Sequence, residues 1–245
     1  MPDTNGGGRL VLVTGATGYI GGRLIPELLR AGYRVRAGTR TVGSLRDHPW
    51  YGEVEPVQAD VLDAGQMRAA LDGVDVAYYL VHSMAGGPGF AARDRRAAAS
   101  FGRAAARAGV RRIIYLGALG EDHESLSTHL KSRLETGEAL REAGIPVVEF
   151  RASIVVGAGS LSFEMVRALV ERLPVMITPR WVRVLTQPIA IADVLEYLNA
   201  ALDLPVDTGL TGDDSQLQAA LGSGAHWVSG DYLTPTDYER YDAAF

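Results

Sequence analysis

The sequence contains no cysteine in its 245 residues. Disulfide bonds, thiolate zinc sites and cysteine nucleophiles are therefore excluded, and a reducing compartment fits this composition. A long apolar run is missing too, because nowhere does the chain reach the roughly 18 consecutive apolar residues that a membrane span requires. Its first residues, MPDTNGGGR, lack the apolar core of a signal peptide. We therefore expect a cytoplasmic protein with no membrane partner.

Positive charge is not in excess either, since the formal net charge is -5. This balance gives no reason to expect nucleic acid or an acidic membrane as a partner. The chain is 47% hydrophobic and 22% charged, which suits one α/β domain with a full core. A small-molecule substrate is the expected partner, and the sequence leaves oligomerisation open.

Three glycines at three-residue spacing follow the first predicted strand. Residues 9–14 are apolar and β-branched, as in a buried parallel strand. In such a pattern the first glycine allows a sharp turn, and the second allows a pyrophosphate to approach the backbone closely. The third allows the helix to pack tightly against the strand. Phosphates bind favourably at the N-terminus of the following helix. The predicted dinucleotide site is therefore Gly15, Ala16, Thr17, Gly18, Tyr19, Ile20 and Gly21, with a purely structural turn as the alternative.

Strand-like and helix-like segments alternate along most of the chain. Strands are predicted at 9–14, 33–39, 54–58, 74–81, 110–116 and 147–151, and helices at 19–31, 64–71, 90–108, 127–143, 161–173 and 189–202. This alternation predicts a parallel sheet covered on both faces, with ligands at the carboxyl ends of the strands. Residues 1–152 are expected to form the dinucleotide-binding core, and 153–245 a substrate-side lobe and tail, within a single compact unit.

The end of the second predicted strand bears on the choice of cofactor. A carboxylate about 20 residues after the glycines usually binds the ribose 2′-hydroxyl of NAD(H). Residues 38–41 instead read Gly-Thr-Arg-Thr, and Arg40 can pair with a 2′-phosphate. NADP(H) is thus favoured over NAD(H), with a solvated loop arginine as the plainer interpretation. Asp60 and Val61 follow the third strand, where they can contact adenine, and Asp60 capping the next helix is the alternative.

Several of these motifs resemble a known family. TGATGYIGG, the arginine after the second strand, ADVLD, YLVHSM and RASIVVGAGS look like an atypical short-chain dehydrogenase/reductase of the NmrA-like NAD(P)H-binding group, over roughly residues 9–202. The resemblance implies an α/β fold, a Rossmann-type doubly wound parallel sheet with a small C-terminal substrate lobe. It also implies cofactor contacts at Val81, His82, Ser83 and Ser153. It does not establish catalysis, because the group includes enzymes and cofactor-sensing proteins.

The reactive centre departs from the pattern of the parent family. Reductases of that family carry Tyr-x-x-x-Lys on the helix after the fifth strand, where this chain has His129 and Arg133. The unperturbed pKa of histidine, about 6.5, suits His129 to the role of general acid, and Arg133 can hold the nicotinamide ribose and position His129. A solvent-facing or structural histidine is the alternative. Tyr115 and His82 are further catalytic candidates, each with a structural interpretation as a core aromatic or a strand-end side chain.

No metal is expected. Residues 121–124 read Glu-Asp-His-Glu, but no further ligands close a coordination shell at a readable spacing. Three functions remain open: an NADP(H)-dependent oxidoreductase acting on a small, partly apolar substrate, a non-catalytic nucleotide sensor, and a non-redox isomerase, epimerase or lyase. The sequence favours the first.

Overall fold

The computed structural model describes residues 8–81, 89–118, 128–172 and 188–203. Eight strands occur in these ranges: β1 (Leu10–Thr14), β2 (Arg34–Thr39), β3 (Glu55–Gln58), β4 (Val76–Tyr79), β5 (Arg112–Ala118), β6 (Val147–Ala152), β7 (Ile154–Val156) and β8 (Pro188–Ala190). Six α-helices accompany them: α1 (Gly21–Arg30), α2 (Ala64–Leu71), α3 (Phe90–Ala108), α4 (Thr128–Arg141), α5 (Leu161–Arg172) and α6 (Ile191–Ala200). Short 3-10 turns link β2 to β3.

The main sheet has six parallel strands in the order β3-β2-β1-β4-β5-β6. The chain winds outward from β1 to β3, returns to place β4 beside β1, and then continues to β6. The strand order therefore reverses between β1 and β4, which creates a crevice at their carboxyl ends. This arrangement confirms the predicted doubly wound Rossmann-type sheet.

Helices cover both faces of this sheet. On one face α1 and α6 pack against Val11, Val13 and Ile114, and on the other α2, α3 and α4 pack against Leu12 and Ile113. The adjacent residues of β4 illustrate the two faces. Tyr78 points toward α6, where its hydroxyl donates a 2.7 Å hydrogen bond to the Leu198 carbonyl oxygen. Tyr79 points the other way and packs against Phe101 of α3, with 5.0 Å between ring centroids and the ring planes tilted by 59°.

The core is completed by a helix beyond the boundary predicted at residue 153. α6 follows a small parallel pair formed by β7 and β8, and then packs beside α1 on the main sheet. The buried guanidinium of Arg112 donates to the carbonyl oxygen of Ala201 at the end of this helix. Nearby, Arg9 forms an ion pair with Asp203 at 2.6 Å. The segment predicted to form the substrate-side lobe therefore contributes one helix to the core of the main sheet.

Predicted element bounds agree closely with the observed ones, with two informative differences. The helix predicted to begin at residue 19 begins at Gly21, because residues up to Ile20 form the glycine turn. The strand predicted at 74–81 pairs only over Val76–Tyr79. Among the described residues, no helix is long and apolar enough to cross a membrane.

Candidate functional site

The glycine turn at the carboxyl end of β1 has room for glycine alone at two positions. Gly15 has a φ of +72°, and a Cβ there would lie 2.7 Å from the carbonyl oxygen of Leu80. A Cβ at Gly21 would lie 2.4 Å from the carbonyl oxygen of Gly15. Real Cβ atoms do not approach backbone oxygens this closely, so a side chain at either position requires the backbone to move. Gly18 closes the turn, with its amide donating to the Gly15 carbonyl oxygen at 2.9 Å.

Backbone amides of this turn are available for a ligand. Ala16 donates its amide to the Gly38 carbonyl oxygen at 3.3 Å. The amides of Thr17, Tyr19 and Ile20 form no hydrogen bond with the described part of the chain. Thr17 is exposed, while Tyr19 and Ile20 are half-buried at the start of α1. Three donors with no partner at a helix N-terminus fit the diphosphate of a dinucleotide.

The turn is held to the neighbouring strand by Thr14. Its buried hydroxyl donates to the Tyr78 carbonyl oxygen at 2.8 Å and accepts from the Leu80 amide at 3.3 Å. The last residue of β1 is therefore hydrogen-bonded to the chain at the end of β4. This contact fixes the crevice where the strand order reverses.

Tyr19 joins the turn to the segment after β7. The Arg23 guanidinium lies 4.0 Å from the Tyr19 ring centroid and donates to the Ala158 carbonyl oxygen at 2.9 Å. The Tyr19 hydroxyl is buried against Gly157 and has no hydrogen-bond partner among the described residues. The predicted phosphate loop and the substrate-side segment are thus in direct contact.

The residues predicted to bind the adenosine half of the cofactor lie at the carboxyl ends of β2 and β3. Arg40 directly follows β2 and is exposed. Asp60 follows β3, and its carboxylate accepts the Leu62 amide at 2.9 Å. The cap of α2 is Asp63, which accepts from the amides of its first turn. The helix-cap interpretation considered for Asp60 therefore applies to Asp63, and Val61 lies half-buried beside Asp60.

Other predicted cofactor contacts are distributed around the same edge. Val81 follows β4 and is half-buried, and Ser153 is exposed between β6 and β7. His82 and Ser83 lie outside the described residues. The acidic segment 121–124 also lies outside them. Within the described ranges, no group of three or more His, Asp or Glu side chains is placed to hold a metal ion.

Tyr115 of β5 is buried beneath α4. Its hydroxyl donates to the Arg133 carbonyl oxygen at 3.0 Å. Burial raises the pKa of Tyr115 to about 12, an effect that the nearby Arg133 guanidinium opposes. A phenol with this pKa and this hydrogen bond is a poor proton donor near neutral pH. The geometry favours the core-aromatic interpretation over the catalytic one.

Helix α4 presents the other two catalytic candidates. His129 is its second residue. Arg133 is half-buried one turn further on, with Nη1 lying 3.5 Å from the Leu116 carbonyl oxygen of β5. Its Nε is buried and forms no hydrogen bond with the described residues. Arg133 therefore lies next to the carboxyl end of β5, and its predicted contact with the nicotinamide ribose stays a prediction.

A buried carboxylate beside this region was missed by the sequence reasoning. The Glu149 side chain of β6 is 5% exposed and pairs with Arg151 at 2.9 Å and with Arg141 of α4. A Cβ at Gly137 of α4 would lie 2.6 Å from Glu149 Oε2, and one at Gly117 of β5 would lie 2.9 Å from Oε1. The sequence signal for this buried carboxylate was a glycine inside a helix and another inside a strand, because a residue without a side chain leaves space for a neighbouring group.

Comparison with known proteins places these features in a family. A family model described as NAD(P)H-binding matches residues 15–145, more than half of the chain. The chain is 35% identical over 115 residues to a 3 beta-hydroxysteroid dehydrogenase/Delta 5-->4-isomerase of Mycobacterium tuberculosis, covering 43% of this chain and 30% of that protein. It is 32% identical over 128 residues to cinnamoyl-CoA reductase 1 of Oryza sativa subsp. japonica, covering 49% and 38%. The matched segment spans about a third of the length of these curated relatives.

Solved structures share the fold. MoeE5 in complex with UDP-glucose and NAD superposes with a TM-score of 0.65 at 22% identity, covering 81% of this chain and 73% of that one. The triphenylmethane reductase of Citrobacter sp., complexed with NADP(H), gives a TM-score of 0.54 at 27% identity, covering 66% and 54%. The family match, the strand order and the three-glycine turn agree. The chain belongs to the NAD(P)H-binding family, as an atypical short-chain dehydrogenase/reductase of the NmrA-like type.

Proposed function

We propose that this protein is an NADP(H)-dependent oxidoreductase that acts on a small, partly apolar organic substrate. The observation that supports this most directly is the glycine turn. The amides of Thr17, Tyr19 and Ile20 lie there at the N-terminus of α1 and form no hydrogen bond with the described residues. Two of the curated proteins with similar sequences are a dehydrogenase/isomerase and a reductase. When bound, the nicotinamide supplies or accepts a hydride.

The preference for NADP(H) rests on the residue that follows β2. Arg40 is exposed at the carboxyl edge, and the preceding Gly38 and Thr39 are buried within the strand end. No carboxylate occupies residues 38–41, so nothing there repels a 2′-phosphate. A guanidinium presents a planar pair of donors that matches the phosphate oxygens. Arg40 is thus the group that distinguishes the two cofactors in this proposal.

A pair of matched arginine variants tests the cofactor assignment. We expect Arg40→Ser to weaken NADPH binding about tenfold or more, because a charge-assisted bidentate contact is lost. Binding of NADH should change by less than about threefold in the same variant. Arg46→Ser is the control, since Arg46 is also exposed but lies in the turn beyond the site. Equal affinity of the wild type for both cofactors, measured by nicotinamide fluorescence, would refute the NADP(H) preference.

The proposed proton donor is His129. Reduction of a carbonyl by hydride leaves an alkoxide, and an imidazole with an ordinary pKa near 6.5 is a suitable acid. Tyr115, the buried phenol of β5, is engaged with the Arg133 carbonyl oxygen. We therefore assign the acid to α4 rather than to β5. His129→Ala should lower single-turnover hydride transfer at least about tenfold, while NADPH affinity stays unchanged.

A substrate panel separates this proposal from the two alternative functions. The wild-type chain is incubated with NADPH and a panel of small carbonyl compounds, and nicotinamide absorbance at the reduced-cofactor band is followed. Oxidation of NADPH with product formation supports the oxidoreductase. Tight NADPH binding without oxidation favours a nucleotide sensor. Product formed without net oxidation favours an isomerase, epimerase or lyase.

A further inference from the structure

We propose that the substrate carries an anionic group, a carboxylate or a phosphate, and that Arg133 and Arg151 bind it at the carboxyl ends of β5 and β6. This inference rests on the proposed function only in taking the crevice as the substrate site. Its evidence is a pair of arginines on a single buried carboxylate, Glu149, with a third arginine, Arg133, on the adjoining turn of α4.

The first step is the charge of this group. Glu149 is paired with both Arg141 and Arg151, and Arg133 lies one helical turn from Gly137, the residue against which Glu149 packs. Two guanidinium groups therefore share one carboxylate, and a third lies on the adjoining turn of α4. Arg151 uses Nε for Glu149 at 2.9 Å, and its two terminal nitrogens form no hydrogen bond with the described residues. Within the described residues, Glu149 supplies one negative charge for Arg141 and Arg151, and Arg133 has no carboxylate partner, so the arrangement favours an anion.

The second step is the relative height of Arg133 and Arg151 along the sheet. Helix α4 connects two parallel strands, so it runs antiparallel to β6. Gly137 contacts Glu149, which gives a common level for the helix and the strand. Arg133 precedes Gly137 by one turn, about 6 Å of helix rise, and Arg151 follows Glu149 by two residues, about 6.6 Å of strand rise. Both arginines are therefore displaced by a similar distance toward the carboxyl edge.

The contacts of Tyr115 support this alignment. Tyr115 pairs with Glu149 in the register of β5 and β6, and its hydroxyl donates a hydrogen bond to the Arg133 carbonyl oxygen. Both Arg133 and Glu149 influence the pKa of Tyr115 electrostatically, in opposite directions. The ring thus lies between the carboxylate and the helix turn that carries Arg133. This leaves the Arg133 guanidinium on the crevice side of the group.

The cofactor phosphates are too far away to be the anion. They are assigned to the glycine turn after β1, and the sheet order places β5 two strands and β6 three strands from β1. At about 4.8 Å per strand, these separations are roughly 10 and 14 Å. A nicotinamide ribose near Arg133 offers neutral hydroxyls, which leave the excess charge in place. Among the described residues, Glu149 alone forms an ion pair with either arginine, and we assign the further anion to the substrate.

Binding of a matched pair of probes to the full chain tests the proposal. Benzoate and benzamide have the same shape and differ in charge, and inorganic phosphate tests the second anion class. Titration calorimetry is performed with and without saturating NADPH. We expect the wild type to bind benzoate or phosphate at least about tenfold more tightly than benzamide. Arg133→Met and Arg151→Met should each abolish most of this difference. Arg107→Met is the control, since Arg107 is exposed on α3, away from the crevice.

Each result of this experiment decides the proposal. Preference for phosphate over benzoate, or the reverse, supports it and identifies the anion class. Equal binding of benzoate and benzamide, with phosphate bound no more tightly than benzamide, overturns it without any variant, and so does a preference that survives in Arg133→Met and Arg151→Met. If a methionine variant fails to fold, the wild-type comparison and the charge-retaining Arg133→Lys and Arg151→Lys variants decide. Failure of NADPH to bind refutes the proposed function alone, because the titrations without NADPH still measure the anion preference.

Discussion

Helix α1, which carries the glycine turn, contains a proline whose missing donor is replaced from another segment. Pro26 has no amide hydrogen, so the carbonyl oxygen of Gly22, four residues earlier, lacks its usual helical partner. The Trp50 indole Nε1 donates to this oxygen at 3.0 Å. Trp50 is 4% exposed and stacks on His48 at 4.5 Å between ring centroids. The chain after β2 therefore completes the hydrogen bonding of the helix.

This substitution of one donor for another predicts a specific coupling between Trp50 and Pro26. Trp50→Phe removes the indole donor and leaves the Gly22 carbonyl oxygen without a partner, at a cost of about 1–3 kcal/mol in addition to the lost volume. Pro26→Ala supplies an amide hydrogen at the helical position. In the Pro26→Ala background, Trp50→Phe should therefore cost about 1–3 kcal/mol less, because only the volume term remains.

A double-mutant cycle measures this coupling. The free energy of unfolding of the wild type, both single variants and the double variant is obtained from urea denaturation, with fluorescence and circular dichroism transitions compared to check two-state behaviour. The volume lost at Trp50 is common to both backgrounds and cancels. A cost of Trp50→Phe that is the same in both backgrounds within about 0.3 kcal/mol would show that the indole does not replace the missing amide.

Three further predictions concern the site. Gly21→Ala should weaken NADPH binding at least about tenfold, because its Cβ would lie 2.4 Å from a backbone oxygen of the phosphate turn; unaltered affinity in a fluorescence titration would contradict this. Glu149→Gln should lower the free energy of unfolding by about 3 kcal/mol, measured in urea, because two arginines lose their buried counter-ion; Glu138→Gln, on the exposed face of α4, is the control. The raised pKa of Tyr115, about 12, contributes stability below pH 10 that is lost as the pH rises toward 12. Tyr115→Phe should therefore lose less stability between pH 8 and 11 than the wild type.

The sequence alone predicted the sheet and the glycine turn because both are local patterns. Alternating apolar strands and helices with glycine ends determine a parallel sheet, and the 64–71 and 90–108 helices were predicted with their observed bounds. Gly15 and Gly21 are recognisable because glycine is required where backbones approach closely, and spacing reveals this without tertiary information. The family match confirms the resemblance that these motifs indicate.

Other features depended on contacts between distant segments. Asp60 and Asp63 are equally plausible helix caps in the sequence, and only the backbone geometry assigns the cap to Asp63. The packing of α6 beside α1 is likewise invisible, because an amphipathic helix pattern does not specify its partner. The sequence left Tyr115 open between a core and a catalytic role, and its hydrogen bond to α4 favours the former.

The sequence by itself determined the doubly wound fold and the glycine turn at which we predict the dinucleotide phosphates, since both follow from hydrophobic periodicity and from glycine spacing within about 15 consecutive residues. Only the tertiary structure brought Arg133, Arg141, Glu149 and Arg151 together across α4 and β6. Such a charged group has no sequence period, because its members come from two elements whose relative level is set by side-chain packing. The inferred charge of the substrate therefore depends on the fold.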